Sequence, residues 1–285
     1  MQKKYFLYSF FVLLILSACK EKVLPNDEII LKFEPSVGQE YVTDMQINQS
    51  MEADVNGVFT LIDQNFEFKL LSIILQDSSG FFKIKNQYLG LKMNQSQSDE
   101  EQEEIQSIDT DEEKWGSGTE LENYYYLLKS SIYQTILDSS GQEISSDLEE
   151  LNKKIGGQKF SSPFQKMFQY GVFFPDYPLK EKDVWYNEIA IRDSLIVITG
   201  NTRYQLETWD DELVYINISS RLKGRYVGFG NSGQMDVEKN GNIIIYKKTG
   251  WTKDAKIEQK ISWIDDQTNE NKLIGDIQIQ SHPSK

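Results

Sequence analysis

Carboxylates are the only reactive side chains that this 285-residue chain holds in quantity, 44 Asp and Glu against one His and one Cys. Two carboxylates flanking a glycosidic bond can hydrolyse it, but among so many acids no spacing singles out a pair. The most defined group is Asp176, Tyr177, Asp183 and Trp185, with Tyr186 beside it. Acids that bind hydroxyls next to rings on which a sugar stacks would suit a glycan. A Trp at the start of a strand more commonly packs a core. Other chemistries lack parts. One Cys and one His exclude a disulfide scaffold, a Cys-rich zinc site and a Cys–His dyad, and His282 sits beside Pro283 in the tail. Asp109, Asp111, Glu112 and Glu113 lack the ligand order and turn glycine of a calcium loop. No Gly-x-Ser-x-Gly elbow, phosphate-cradling glycine loop or His-Glu-x-x-His occurs. The expectation is a protein without catalytic residues, metal or cofactor.

The charge narrows the partners. At −14 overall, with dispersed Lys and Arg, the chain is not expected to bind nucleic acid, which needs clustered cations. The N-terminus does point to a membrane. Lys3 and Lys4 precede an apolar run from Tyr5 to Leu16, shorter than the roughly 20 residues of a spanning helix, and Ser17 and Ala18 close it. Leu16-Ser17-Ala18-Cys19 resembles the bacterial lipobox, in which the Cys is acylated and becomes the new N-terminus. Residues 1–18 are therefore expected to be a signal peptide, Cys19 the lipid-bearing residue (palmitate or a similar acyl chain), and 19–27 a tether. Each buried CH₂ contributes about 0.8 kcal/mol, so multiple chains hold firmly. With Lys20 and Glu21, not Asp, after Cys19, the expected address is the outer membrane, on its periplasmic face or the cell surface.

The elements that must position any site are mostly strands. Aromatic and β-branched runs at Ile29–Phe33, Tyr41–Ile47, Val58–Ile74, Phe81–Met93, Ile132–Leu137, Asp183–Ala190, Ile196–Thr208, Leu213–Lys223, Gly233–Val237, Asn242–Lys248, Ala255–Ile264 and Lys272–Gln280 alternate with polar residues, the period of antiparallel strands with one buried face. Gln76–Gly80, Asp138–Gly141 and Lys239-Asn240-Gly241 read as turns between them. Ser146 and Glu149 open a short helix carrying Leu148, Leu151 and Ile155, which stops at Gly156-Gly157. A second helix follows Ser162-Pro163 and bears Phe164, Met167 and Phe168 as a stripe, either core or the lid of an apolar cavity. Asp99–Glu113 holds nine acids and no base, so 94–120 is expected to be disordered or a long solvated loop.

An internal echo pairs Val37–Tyr41 with Lys180–Trp185, and Ser139–Gln142 with Lys239–Asn242. It predicts two similar β units, 28–145 and 173–285, around a helical connector at 146–172. The expected fold class is mainly β with a few short helices, a curved antiparallel sheet or half-barrel.

The lipobox, the Gly38-Gln39-Glu40-Tyr41 strand start, the Ser140-Gly141-Gln142 turn before a short helix, and Phe173–Pro178 running into Asp183-Val184-Trp185 together resemble an uncharacterised family of Bacteroidota outer-membrane lipoproteins, DUF6263. The likeness extends over about residues 28–260 and departs at Glu181, Lys182 and Val184, where the family has Val, Gly and Ser. It implies an envelope location and no activity. Asp193-Ser194-Leu195 is similar to an O-glycosylation acceptor of that phylum. The function expected is a non-enzymatic lipoprotein that binds an apolar ligand, with Phe164, Met167 and Phe168 at its cavity. The alternative is a structural or interaction lipoprotein that binds envelope protein or glycan.

Overall fold

The computed structural model describes residues 27–55, 58–78, 80–98, 103–111, 118–156, 171–192, 196–228, 231–264 and 269–284. The strands are β1 (Glu40–Val55), β2 (Val58–Ser78), β3 (Phe81–Ser98), β4 (Glu103–Asp109), β5 (Ile132–Asp138), β6 (Glu143–Ser146), β7 (Val184–Arg192), β8 (Ile196–Trp209), β9 (Leu213–Gly228), β10 (Asn231–Tyr246), β11 (Thr252–Ile264) and β12 (Glu270–Pro283). The helices are α1 (Glu120–Ser130) and α2 (Leu148–Lys154). The chain is mainly β, as expected. All twelve strands form one open, curved antiparallel sheet in the order β6-β5-β3-β2-β1-β12-β11-β10-β9-β8-β7, with β4 beside β3.

Alternation builds the sheet's two faces. In β11, Ala255, Ile257, Gln259 and Ile261 are buried while Lys256, Glu258 and Lys260 are exposed. Each aliphatic side chain buried this way contributes about 1.5–3 kcal/mol. The two meanders, β1 to β6 and β12 back to β7, meet where β1 pairs with β12 from Tyr41↔Pro283 to Glu52↔Lys272.

Two extended segments plug one end of the inner face. Ile29, Leu31 and Phe33 lie in the main core with Val172, Phe174 and Leu179. The segments join at a bridge between Ile29 and Leu179, and they hang from hairpin turns: Phe33 N donates to Ser139 O (2.9 Å), Glu34 N to Thr249 O (2.9 Å) and Phe174 N to Ser140 O (2.8 Å). Glycine is required at both turns. Gly141 and Gly250 have φ of 79° and 69°, and a Cβ would lie 2.6 Å from Val172 O and 2.3 Å from Lys32 O.

The structure corrects four expectations. Ile29–Phe33 is not a strand of the sheet but half of this plug. Lys239-Asn240-Gly241 is not a turn: β10 runs straight through it, so its likeness to the true turn at 139–142 fails. Gly241 serves close approach, since a Cβ there would meet Lys256 O at 2.2 Å. Within the expected solvated loop, β3 runs on to Ser98 and Glu103–Asp109 forms an edge strand. Its charges suit an unpaired edge, and Ile108 is buried while Lys92 pairs with Asp109 (2.8 Å) and Lys129 with Asp111 (2.7 Å). Finally, α1 went unread. Thr119 caps it by accepting from Glu122 N (3.2 Å), and Tyr124, Tyr125 and Leu128 pack on β3 and β4. The expected helix at 146–155 is present as α2, with Leu148, Leu151 and Ile155 against the same cluster.

Candidate functional site

On the inner face, one row of residues crosses ten strands at right angles to the chain. Strand register aligns Asn187, Thr202, Ser220, Lys239, Gln259, Gly275, Gln49, Gln64, Gln95 and Gln106 from β7 to β4. All but Gly275 are polar, on the face that is otherwise the core. To one side lies the main cluster, with Ile47, Ile216, Ile257 and Ile277. On the other side lies a second, formed by Ile198, Leu222, Met235, Val237, Ile261 and Leu273.

Most of the row is internally satisfied. Thr202 and Ser220 share a hydrogen bond (2.8 Å). Gln49 donates to Gln64 Oε1, and Gln64 Nε2 donates to Gln95 Oε1 (2.6 Å). Gln259 departs from this pattern. It is 2% exposed, and among the described residues neither its amide nitrogen nor its oxygen has a hydrogen-bond partner, nor does Gln49 Oε1. Burial also pushes the Lys239 ammonium down to about 8, because a charged group loses its hydration there. Burial pushes the Tyr204 hydroxyl, further along the face, up to about 12.

The residues singled out in the sequence fall elsewhere. Trp185 is 2% exposed, stacks on Tyr204 (centroids 5.4 Å, 15°) and donates from Nε1 to Phe173 O (2.6 Å). Asp183 caps a turn by accepting from Lys180 N (2.8 Å). Asp176, Tyr177 and Tyr186 are exposed. One side of the strand start faces the core and the other faces solvent, so Trp185 is not on the same surface as the exposed Asp176, Tyr177, Asp183 and Tyr186. Cys19, Phe164, Met167, Phe168 and Ser194 lie outside the described residues. The polar row escaped sequence reading, although Gln49, Gln64 and Gln259 each interrupt an apolar alternation and Gln95 ends one, a signal that one strand at a time leaves unconnected.

Residues 119–252 match a family model described as a family of unknown function, DUF6263. The match spans less than half of the chain, and this stretch resembles a DUF6263 domain. The DUF6263 region runs from the cap of α1 to the first residue of β11, and so holds β5 to β10 and the second half of the plug. It is narrower than the 28–260 over which the resemblance was read. No curated protein matches the chain. Among solved structures, one titled for lipid–protein interactions in lipovitellin aligns at 9% identity and a TM-score of 0.48, covering 87% of this chain and 25% of that one. This chain thus spans a quarter of the lipovitellin chain. An outer membrane channel from Pseudomonas putida F1 aligns at 8% identity and 0.28, over 92% of this chain and all of that one. OccK7 of Pseudomonas aeruginosa gives 7% and 0.25, over 88% and 100%. At such values none of these likenesses transfers a function.

Proposed function

We propose that the protein is a non-enzymatic envelope lipoprotein, tethered to the outer membrane through Cys19, that holds an apolar ligand against the inner face of its sheet. One observation carries this reading: all twelve strands lie in one curved sheet whose inner face bears two apolar clusters, and the described residues place no second sheet against it. A sandwich covers such a face with another sheet, whereas a single curved sheet wraps something else. Native mass spectrometry of the protein purified without detergent is the test. A bound species of lipid mass is expected, and a spectrum showing only the acylated chain, with no uptake of added palmitic acid, would reject the carrier reading. The tether is tested separately, since Cys19→Ser is expected to release the protein from membranes or leave an unprocessed precursor.

The second reading, an interaction lipoprotein for protein or glycan, draws on the outer face. There Asn65 donates to Asn48 (2.6 Å), Asn48 to Asp276 (3.1 Å) and Ser107 to Asn94 (2.7 Å), a transverse polar row beside shallow depressions of about 830 and 710 Å³.

A further inference from the structure

The outer face carries a groove lined by residues that strands disfavour. Register aligns Asn240, Glu258, Asp276, Asn48, Asn65 and Asn94 across β10 to β3. On one side of this row lies a depression of about 830 Å³, with Asn217, Asn242, Lys256 and Gln278 as its far wall. On the other side lies one of about 710 Å³, over Ser50, Asp63 and Ser96. Both open to solvent and share Asn48, Glu258 and Asp276, so they form one groove across the sheet. Asn is among the residues depleted from strands, yet Asn48, Asn65, Asn94, Asn217, Asn240 and Asn242 all stand within strands here. A face that needed only solubility would carry long charged side chains, as this one does at Glu52, Lys69, Lys223 and Lys272.

These side chains are held in place with half their capacity unused. Asn65 Nδ2 donates to Asn48 Oδ1 (2.6 Å), and Asp276 Oδ2 accepts from Asn48 Nδ2 (3.1 Å) and Gln278 Nε2 (3.4 Å). Asn65 Oδ1, Asn94 Nδ2 and both ends of the Asn240 and Asn242 carboxamides have no partner among the described residues, and Asn94, Asn240 and Asn242 are exposed. A carboxamide offers donors and an acceptor together, which matches the adjacent hydroxyls of a sugar. Strands stand about 4.8 Å apart, close to the advance of one pyranose ring in an extended chain, so rings laid along the row meet one Asn or acid each. Asp63, Glu258 and Asp276 outnumber Lys256 in the lining, which repels an anionic chain. We propose that this groove binds a neutral, linear glycan laid across the strands from β10 to β3. This rests on the interaction reading of the outer face, which it narrows to a ligand class, and requires nothing of the apolar-ligand reading.

The test applies the purified full-length protein to a printed array of linear neutral, linear acidic and branched oligosaccharides of graded length. Five strand spacings separate β10 from β3, about 24 Å. Binding is therefore expected on linear neutral chains, rising with length to about five rings and then levelling, with acidic chains unbound. Asn48→Ala removes the central carboxamide shared by both depressions and is expected to weaken that binding at least tenfold without lowering the melting temperature, because the side chain borders solvent. Asn65→Ala serves as the second variant if Asn48→Ala fails to fold, with a loss of about threefold expected. Binding undiminished in both variants, binding of acidic chains alone, or binding of no oligosaccharide would each overturn the glycan site. The interaction reading falls with it only if formaldehyde crosslinking in intact cells also joins no envelope protein to the chain; a crosslinked protein partner in the absence of glycan binding would overturn the glycan site alone.

Discussion

The first strands of the two meanders, β1 and β7, enter the sheet through turns with the same backbone bonds and different residues. In the first, Gln39 N donates to Ser36 O (3.0 Å), Gly38 N to Ile74 O (2.8 Å) and Ile74 N to Gln39 O (3.0 Å). In the second, Asp183 N donates to Lys180 O (3.0 Å), Lys182 N to Leu206 O (2.6 Å) and Leu206 N to Asp183 O (3.0 Å). The neighbouring ladder shifts register just past Ile74 in one case and just past Leu206 in the other. A buried ring follows at the same step, Tyr41 on Trp251 (centroids 4.1 Å, 4°) and Trp185 on Tyr204. The left-handed residue is Gly38 (φ 82°) in one and Lys182 (φ 70°) in the other. The backbone bonds persist because each entry must satisfy the same donors and acceptors. The side chains differ because their surroundings do: Trp185 holds the plug through Phe173 O, whereas Trp251, over Tyr41, donates to Ser281 Oγ (3.0 Å) in the central pair.

Breaking that correspondence at the rings should have the largest effect. Trp185→Ala is expected to destabilise by about 3–5 kcal/mol and to loosen the plug, seen as faster amide exchange at Phe174 and Leu179. Tyr41→Ala should cost about 3 kcal/mol without that exchange signature. Equal exchange in both variants would show that Trp185 does not anchor the plug.

The next effect reads one buried group in each half by pH. Lys239, in the second meander, has its folded value lowered from 10.5 to about 8 by burial. The unfolded chain therefore binds more protons between pH 8 and 10.5, and stability rises through that window, by at most about 3 kcal/mol. Tyr124, on the buried side of α1 in the first half, is pushed up to about 12 by burial. There the folded chain binds more protons, so stability falls from pH 10 to 12. Urea midpoints should show Lys239→Met flattening the rise and Tyr124→Phe reducing the fall. A rise that survives in Lys239→Met would assign it to another group.

Two smaller effects sharpen the comparison of the turns. Gly38→Ala meets nothing within 4 Å, so only its left-handed backbone is strained and a loss of about 1–2 kcal/mol is expected. Lys182→Gly relieves the same strain but frees the unfolded chain and removes an exposed ion pair with Glu207. A net gain below about 1 kcal/mol in thermal unfolding would fit equivalent turns; a loss would mean that the Lys182 side chain is needed there.

Local sequence was enough for what local chemistry decides. Period-two alternation marked most strands, Asp138 and Gly141 marked their turn, where Asp138 Oδ1 accepts from Ser140 N (2.9 Å) and Gln142 N (3.0 Å), and the shared turn at Gln39 and Asp183 was legible as an echo. These signals lie within a few residues of one another, where φ preferences and side-chain caps act. Only the tertiary structure decided that Asn240-Gly241 runs straight, that an acidic run adds an edge strand, and that the first and last strands pair. The same holds for the polar row. Its residues come from ten strands and align only once every neighbouring register is set, and register depends on which distant strand supplies the partner and which face is buried.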